Sequence, residues 1–179
     1  YSAKTNPPSD KIASCFFDSR RNMWFGTVDK GVFKIDLSKN IKNQLPAFKE
    51  FNSSDGLTQI NILDIAEDRF GNIWFASKEN GVVKYSEKNE AKGIAPFIKY
   101  NIENGLPHNS IYTVTEDKYH NIWLGTYGRG VFKYYVQDLS SFELNSSIDE
   151  SKALGIAEDK EKGLWFLYEN ELIYYDGLK

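Results

Sequence analysis

"GNIWFASKENGVVKY", residues 71–85, opens on a Gly-Asn pair, passes through a tryptophan, reaches a polar tip and returns as a second apolar run. Alone it reads as one β-hairpin. Nearly the same words stand at residues 21–35, "RNMWFGTVDKGVFKI", and at 120–134, "HNIWLGTYGRGVFKY". That recurrence decides the fold, because a period of 40 to 50 residues marks a repeat architecture.

The chain has four tryptophans, Trp24, Trp74, Trp123 and Trp165, separated by 50, 49 and 42 residues. Six positions before each stands an aspartate: Asp18, Asp68, Asp117 and Asp159. Two before come Asn22, Asn72 and Asn121, with Gly163 in the fourth copy. Seven after come Gly31, Gly81 and Gly130. Twenty-three before each is an aromatic, Tyr1, Phe51, Tyr100 or Phe142, and Gly56-Leu57 and Gly105-Leu106 follow it in the second and third copies.

Each copy reads as strands. "ILDIAEDRFGNIWFAS" gives a strand to Glu67, a turn, and a strand through Trp74; Asp and Asn suit the turn because their side chains bond nearby backbone. "SKENG" is a second turn, and "VVKY" a third strand, matched by "VFKI", "VFKY" and "LIYY". "AFKEF" and "PFIKY" read as fourth, outer strands. Residues 36–45 and 86–95 read as variable loops that absorb the unequal spacing.

Four antiparallel strands per repeat predict an all-β chain, a β-propeller of about four four-stranded blades. The blades fall near 10–52, 60–101, 109–143 and 152–179. The last lacks its outer strand, which residues near 1–3 are placed to supply. A partial propeller, a small closed ring and half of a dimeric ring stay open at this point.

Composition agrees. Aromatics make up 15% of 179 residues, which favours pleated, half-buried surfaces. A chain of this length buries roughly 70% of its unfolded surface and needs no disulfide or metal for a core. The net charge of −3 is spread without a block of one sign, which argues against a dedicated nucleic-acid binder. Cys15 is the single cysteine, and no run of eighteen apolar residues suggests a membrane span.

"GLPHNSIYTVTEDKYHNIWLGTYGRGVFKY", residues 105–134, resembles the two-component regulator propeller repeat, and "DSRRNMWFGTVDKGVFKID" matches it again. The second copy departs at Ala76-Ser77, where the pattern has Gly-Thr, and the fourth departs further at "GLWFLYENELIYYD". The resemblance implies the periplasmic or extracellular sensor part of a bacterial two-component protein, non-enzymatic, often responsive to oligosaccharides. A homodimer completing the ring is a further expectation, and a protein-interaction scaffold that docks partners through its rim or open edges is an alternative reading. Streptogramin-type lyases carry similar Asp-turn-Trp-Phe words; such an enzyme needs a histidine and acidic residues around Mg²⁺, and His108 is the candidate here.

Among site residues, the aspartates and tryptophans recur in every copy, so they read as scaffold: turn caps and packing between blades. His120 occupies the turn position that Gly71 fills in the second copy and reads as a turn residue. "GTYGRG" reads as turn glycines, not as a phosphate loop. No cofactor or metal site is expected. Specificity on a repeating scaffold resides in the variable tips. The candidate ligand residues are Asp29, Lys30, Lys78, Glu79, Tyr127 and Arg129, with Glu169 and Asn170 in the fourth copy, and His108, Asn109 and Asn61 on the same rim. Tyr127 with Arg129 is the best pair for an anionic or sugar ligand. Asp64, on the innermost strand, either lines the central channel or binds its water. Asn52 and Asn145 each begin an Asn-Ser-Ser glycosylation word.

Overall fold

The computed structural model describes residues 9–38, 48–57, 61–134, 142–144 and 152–176. The outer-strand role expected of residues near Tyr1 lies outside them, as does Asn145.

Fifteen strands among the described residues form four antiparallel sheets in sequence order. The first holds β1 (Ile12–Phe17), β2 (Asn22–Thr27), β3 (Val32–Asp36) and β4 (Lys49–Phe51). The second holds β5 (Ile62–Glu67), β6 (Ile73–Ser77), β7 (Gly81–Tyr85) and β8 (Phe97–Tyr100). The third holds β9 (Ile111–Glu116), β10 (Ile122–Thr126), β11 (Val131–Tyr134) and β12 (Phe142–Leu144). The fourth has β13 (Ala153–Glu158), β14 (Leu164–Tyr168) and β15 (Leu172–Tyr175). Each sheet is a meander, every strand hydrogen-bonded to the next in sequence. One expected loop is structured: between β7 and β8 lies a short helix, α1 (Glu87–Ala91). Its Glu87 and Glu90 meet Lys34 and Lys49 of the first sheet at 2.7 and 2.6 Å.

Period-2 alternation explains the stacking. On each second strand the Trp faces the following sheet and the residue after it faces the preceding one. Trp24 therefore packs with Phe75 and Tyr85 of the second sheet, ring centroids 5.6 and 5.4 Å apart. Trp74 packs with Tyr134 and Leu124 of the third, and Trp123 with Phe166 of the fourth. The outer strand completes the packing: Phe51 stacks on Trp24 and Tyr100 on Trp74, with interplanar angles of 19° and 23°. Lys34, Lys84 and Lys133 hold their ammonium groups 5.1 to 5.5 Å from the three tryptophan rings.

The Gly-Leu words acquire a mechanism here. Asn52 and Asn101 cap short 3-10 turns, and Gly56 and Gly105 end them at φ 94° and 103°. The turns drop Leu57 and Leu106 into the seams between sheets, where both are buried.

The fourth blade corrects one expectation. Trp24, Trp74 and Trp123 are 1 to 2% exposed, but Trp165 is 37% exposed. It does not pack between blades, because no following sheet meets it among the described residues. Tyr174 stands where the other copies have lysine and covers the ring at 4.8 Å. Gly163, in place of the repeated asparagine, makes this possible: the Tyr174 hydroxyl fills the space of its missing Cβ.

Candidate functional site

The two ends of the sheets differ in kind. At one end every copy builds the same clasp. Trp24 donates from its indole nitrogen to Asp18 at 2.8 Å, Trp74 to Asp68 at 2.9 Å, Trp123 to Asp117 at 2.8 Å and Trp165 to Asp159 at 3.0 Å. The other carboxylate oxygen accepts the backbone N–H two and four residues on, as at Arg20 and Asn22. The Asn22, Asn72 and Asn121 amides donate to the same carboxylates. A single aspartate thus satisfies the turn and the buried indole together. In the first three copies these groups are buried or half-buried and turned toward each other rather than outward.

At the opposite end the hairpin tips begin alike and then diverge. Thr27 and Thr126 donate to the carbonyls of Gly31 and Gly130 and accept the N–H of Lys30 and Arg129. Ser77 keeps half of this, accepting from Asn80, so the Ala-Ser departure preserves the hydroxyl that holds the tip. Beyond it, side chains vary. Asp29 accepts from Ser9 at 2.8 Å and lies 3.6 Å from Lys11. Lys78, Glu79, Arg129, Glu169 and Asn170 are exposed, and so is the side chain of Lys30.

Each inner strand carries a register shift close to its tip end. Bulges re-aim side chains. The residues skipped are Ala13, Leu63, Tyr112 and Leu154, so the third blade presents a tyrosine where the others have aliphatics. Tyr112 stacks on Tyr127, centroids 5.5 Å apart at 25°. Lys152, entering the fourth blade, lies 5.2 Å from the first ring and 4.8 Å from the second, and pairs with Glu169 at 3.4 Å. Tyr127 remains 51% exposed. The structure therefore joins Tyr127 and Glu169 through two residues that sequence reading missed. The signal was available: Tyr112 is the one aromatic at its repeat position, eleven before the Trp.

His108 and Asn109 are tied into their own loop. His108 Nδ1 accepts the Ser110 N–H at 3.0 Å, and Asn109 accepts from Ile102 and Gly81. Asn61 receives the Lys78 N–H on its carbonyl. Asp64 bridges blades: it accepts the Thr113 hydroxyl at 2.8 Å and the Val114 N–H at 2.9 Å from the next inner strand. Burial pushes its carboxyl above the usual range, against the pull of those bonds. Asp29 and Lys30 stand at the first tip and Lys78 and Glu79 at the second, away from the tyrosine pair. Among the described residues no group of three or more His, Cys, Asp or Glu side chains is placed to hold a metal.

Known proteins share this plan. The extracellular domain of a putative one-component system from B. thetaiotaomicron superposes with a TM-score of 0.76 at 17% identity, over 98% of this chain and 22% of that one. The extracellular domain of a putative hybrid two-component system from the same organism gives 0.61 at 21% identity, over 93% and 28%. Virginiamycin B lyase from Staphylococcus aureus gives 0.65 at 15%, over 98% and 58%. The chain thus spans 22% and 28% of the two bacterial extracellular domains. No curated protein sequence matches it. Among the described residues no helix is long and apolar enough to cross a membrane. The two-component regulator propeller family matches at residues 56–79 and 105–128, the Gly-Leu turn through the tip hairpin of the second and third copies, so the chain has a β-propeller fold with two stretches that match this family's repeat.

Proposed function

We propose that the chain is a ligand-sensing propeller segment of a bacterial signalling protein, lying outside the cytoplasm, and that it binds without catalysing a reaction. The observation that carries this reading is the stacked Tyr112–Tyr127 pair with Lys152 over both rings. It sits on a bulge at the variable end of a scaffold whose other end repeats one internal clasp in every copy. An exposed tyrosine offers an apolar face and a hydroxyl, and Arg129, two residues on, offers a fork of donors. That combination suits a sugar ring, so a short oligosaccharide is the ligand class. Binding rather than turnover is favoured because Nδ1 of His108, the candidate base, accepts the Ser110 N–H, which puts the neutral ring's proton on Nε2 and leaves neither nitrogen free to take one. The exposed Trp165 face is the place where a second copy would continue the row of blades.

A thermal-shift screen with neutral and acidic oligosaccharides, with and without Mg²⁺, tests the reading. Stabilisation by a sugar that is lost in Tyr127→Ala supports it. Sugar turnover that requires Mg²⁺ and His108 overturns it in favour of a lyase.

A further inference from the structure

The row of sheets leaves two faces without a partner sheet among the described residues, on the first sheet and on the fourth. At the joints inside the chain, the second strand of each sheet lies against the inner strand of the next: β2 on β5, β6 on β9 and β10 on β13. The residue twelve before the Trp reports this contact. Ile62, Ile111 and Ala153 are fully buried there, while Ile12 of β1 is 46% exposed. Cys15 and Phe17 on the same strand are exposed as well. On the fourth sheet the open face carries Trp165 and Leu167 of β14, beside Leu172 and Tyr174 of β15.

Both faces depart from the repeat, and the departures exchange charge for apolar bulk. Seven before the Trp stand Glu67, Glu116 and Glu158, but Phe17 in the first copy. Glu67 and Glu116 accept the N–H groups of Ser19 and Arg69 in the preceding turn, a bond Phe17 cannot make. Tyr174 stands where Lys34, Lys84 and Lys133 lie over their tryptophans, and it reaches Gly163 at the same clasp end. Leu167 stands where Gly26, Ala76 and Gly125 let the next inner strand come close; a Cβ on Gly26 would lie 2.7 Å from Ile62. A regular further repeat would bring a glutamate to the Tyr174 end of this face and press its inner strand on Leu167. The fourth face instead suits a sheet that sits further out and replaces that glutamate with a ring. The first sheet supplies the ring in Phe17, and the smaller Cys15 where other copies have Ile65, Val114 and Ile156.

We infer that the first sheet of a second copy covers the fourth sheet, so that two copies join head to tail. Trp165, Leu167 and Tyr174 of one copy then meet Ile12, Cys15 and Phe17 of the other, with tip end against tip end as at the joints inside the chain. Charge agrees. Residues 152–176 hold six Asp and Glu against three Lys, whereas residues 9–38 hold five Lys and Arg against four Asp. Pairing two fourth sheets with each other would set acidic surfaces together, which like charge opposes. Two head-to-tail joints close a pair of copies and leave neither face open. The pairing names the partner face for the second copy proposed above, and it holds or fails independently of ligand binding.

The test is sedimentation equilibrium of the full chain over a range of concentrations, with Phe17→Glu and Leu167→Lys as variants. Both positions are exposed, and glutamate is the residue of the other three blades, so the variants fold; their melting temperatures check this. The native chain should form a dimer that dissociates on dilution, and each variant should associate about tenfold more weakly. Mixed, the two variants should associate more strongly than either alone, because each keeps the face that the other has lost. Alkylation of Cys15, the single cysteine, should be slow in the native dimer and quicken on dilution. The inference is overturned if the native chain is a monomer throughout or if Cys15 reacts at one rate at every concentration. It is overturned equally if Phe17→Glu associates as the native chain does, or if mixing the variants restores nothing.

Discussion

The Asp68 carboxylate accepts the Trp74 indole N–H at 2.9 Å, and the same carboxylate accepts the backbone N–H groups of Phe70 and Asn72. One side chain therefore couples a turn to the packing seam between two blades. Asp68→Ala leaves a buried indole N–H and turn amides without a partner. It should destabilise the chain by about 3 kcal/mol, measured by urea unfolding. Asp159→Ala should cost less, since Asp159 and Trp165 are open to water that replaces the lost bonds.

The tryptophans should separate in the same way. Trp74→Ala removes a ring buried among Leu106, Val114 and Tyr134 and should cost about 3–5 kcal/mol. Trp165→Ala should cost clearly less, because its ring is 37% exposed among the described residues, with Tyr174 against it. Equal losses would contradict the assignment of Trp165 to an open face.

The repeat was legible because its signals are local and stereochemical. Asp18 and Asn22, the Trp spacing, and the Gly56 and Gly105 turns each appear as a fixed residue type at a fixed offset. Helix α1 has no signal of its own in the sequence, since Glu87–Ala91 is one short turn stabilised by Lys34 and Lys49, forty or more residues away. Nothing adjacent in sequence announces Thr113, on the next inner strand, as the partner of Asp64. Of the site, Tyr127 and Arg129 stood out as tip residues. Tyr112 and Lys152 did not, because a bulge and a neighbouring blade bring them there.

Asp64 gives a pH signature. Burial raises its carboxyl above the unfolded value of 3.8, so between the unfolded and folded values the folded state holds a proton that the unfolded state has lost. Stability contributed by this group is present below the unfolded value and falls as pH rises through the folded one. Asp64→Asn should flatten that part of the stability–pH curve, measured by denaturation at a series of mildly acidic pH values. An unchanged slope would remove Asp64 as its source.

Backbone strain at the clasp turns predicts opposite effects at equivalent positions. His120→Gly relieves a left-handed residue at φ 68° and should stabilise by about 1 kcal/mol. Gly71→Ala adds a Cβ at φ 75° where the Arg20 guanidinium lies, and should destabilise by about 1–2 kcal/mol. Melting curves of the two variants decide both.

The most direct test of the sensing reading is titration calorimetry of the chain with an oligosaccharide that raises its melting temperature. Comparison with Tyr127→Ala and Lys78→Ala reports on the tyrosine pair and on a tip away from it. The tyrosine platform predicts binding at one site per chain, lost or weakened at least tenfold in Tyr127→Ala and retained in Lys78→Ala. Binding that survives Tyr127→Ala unchanged would contradict it.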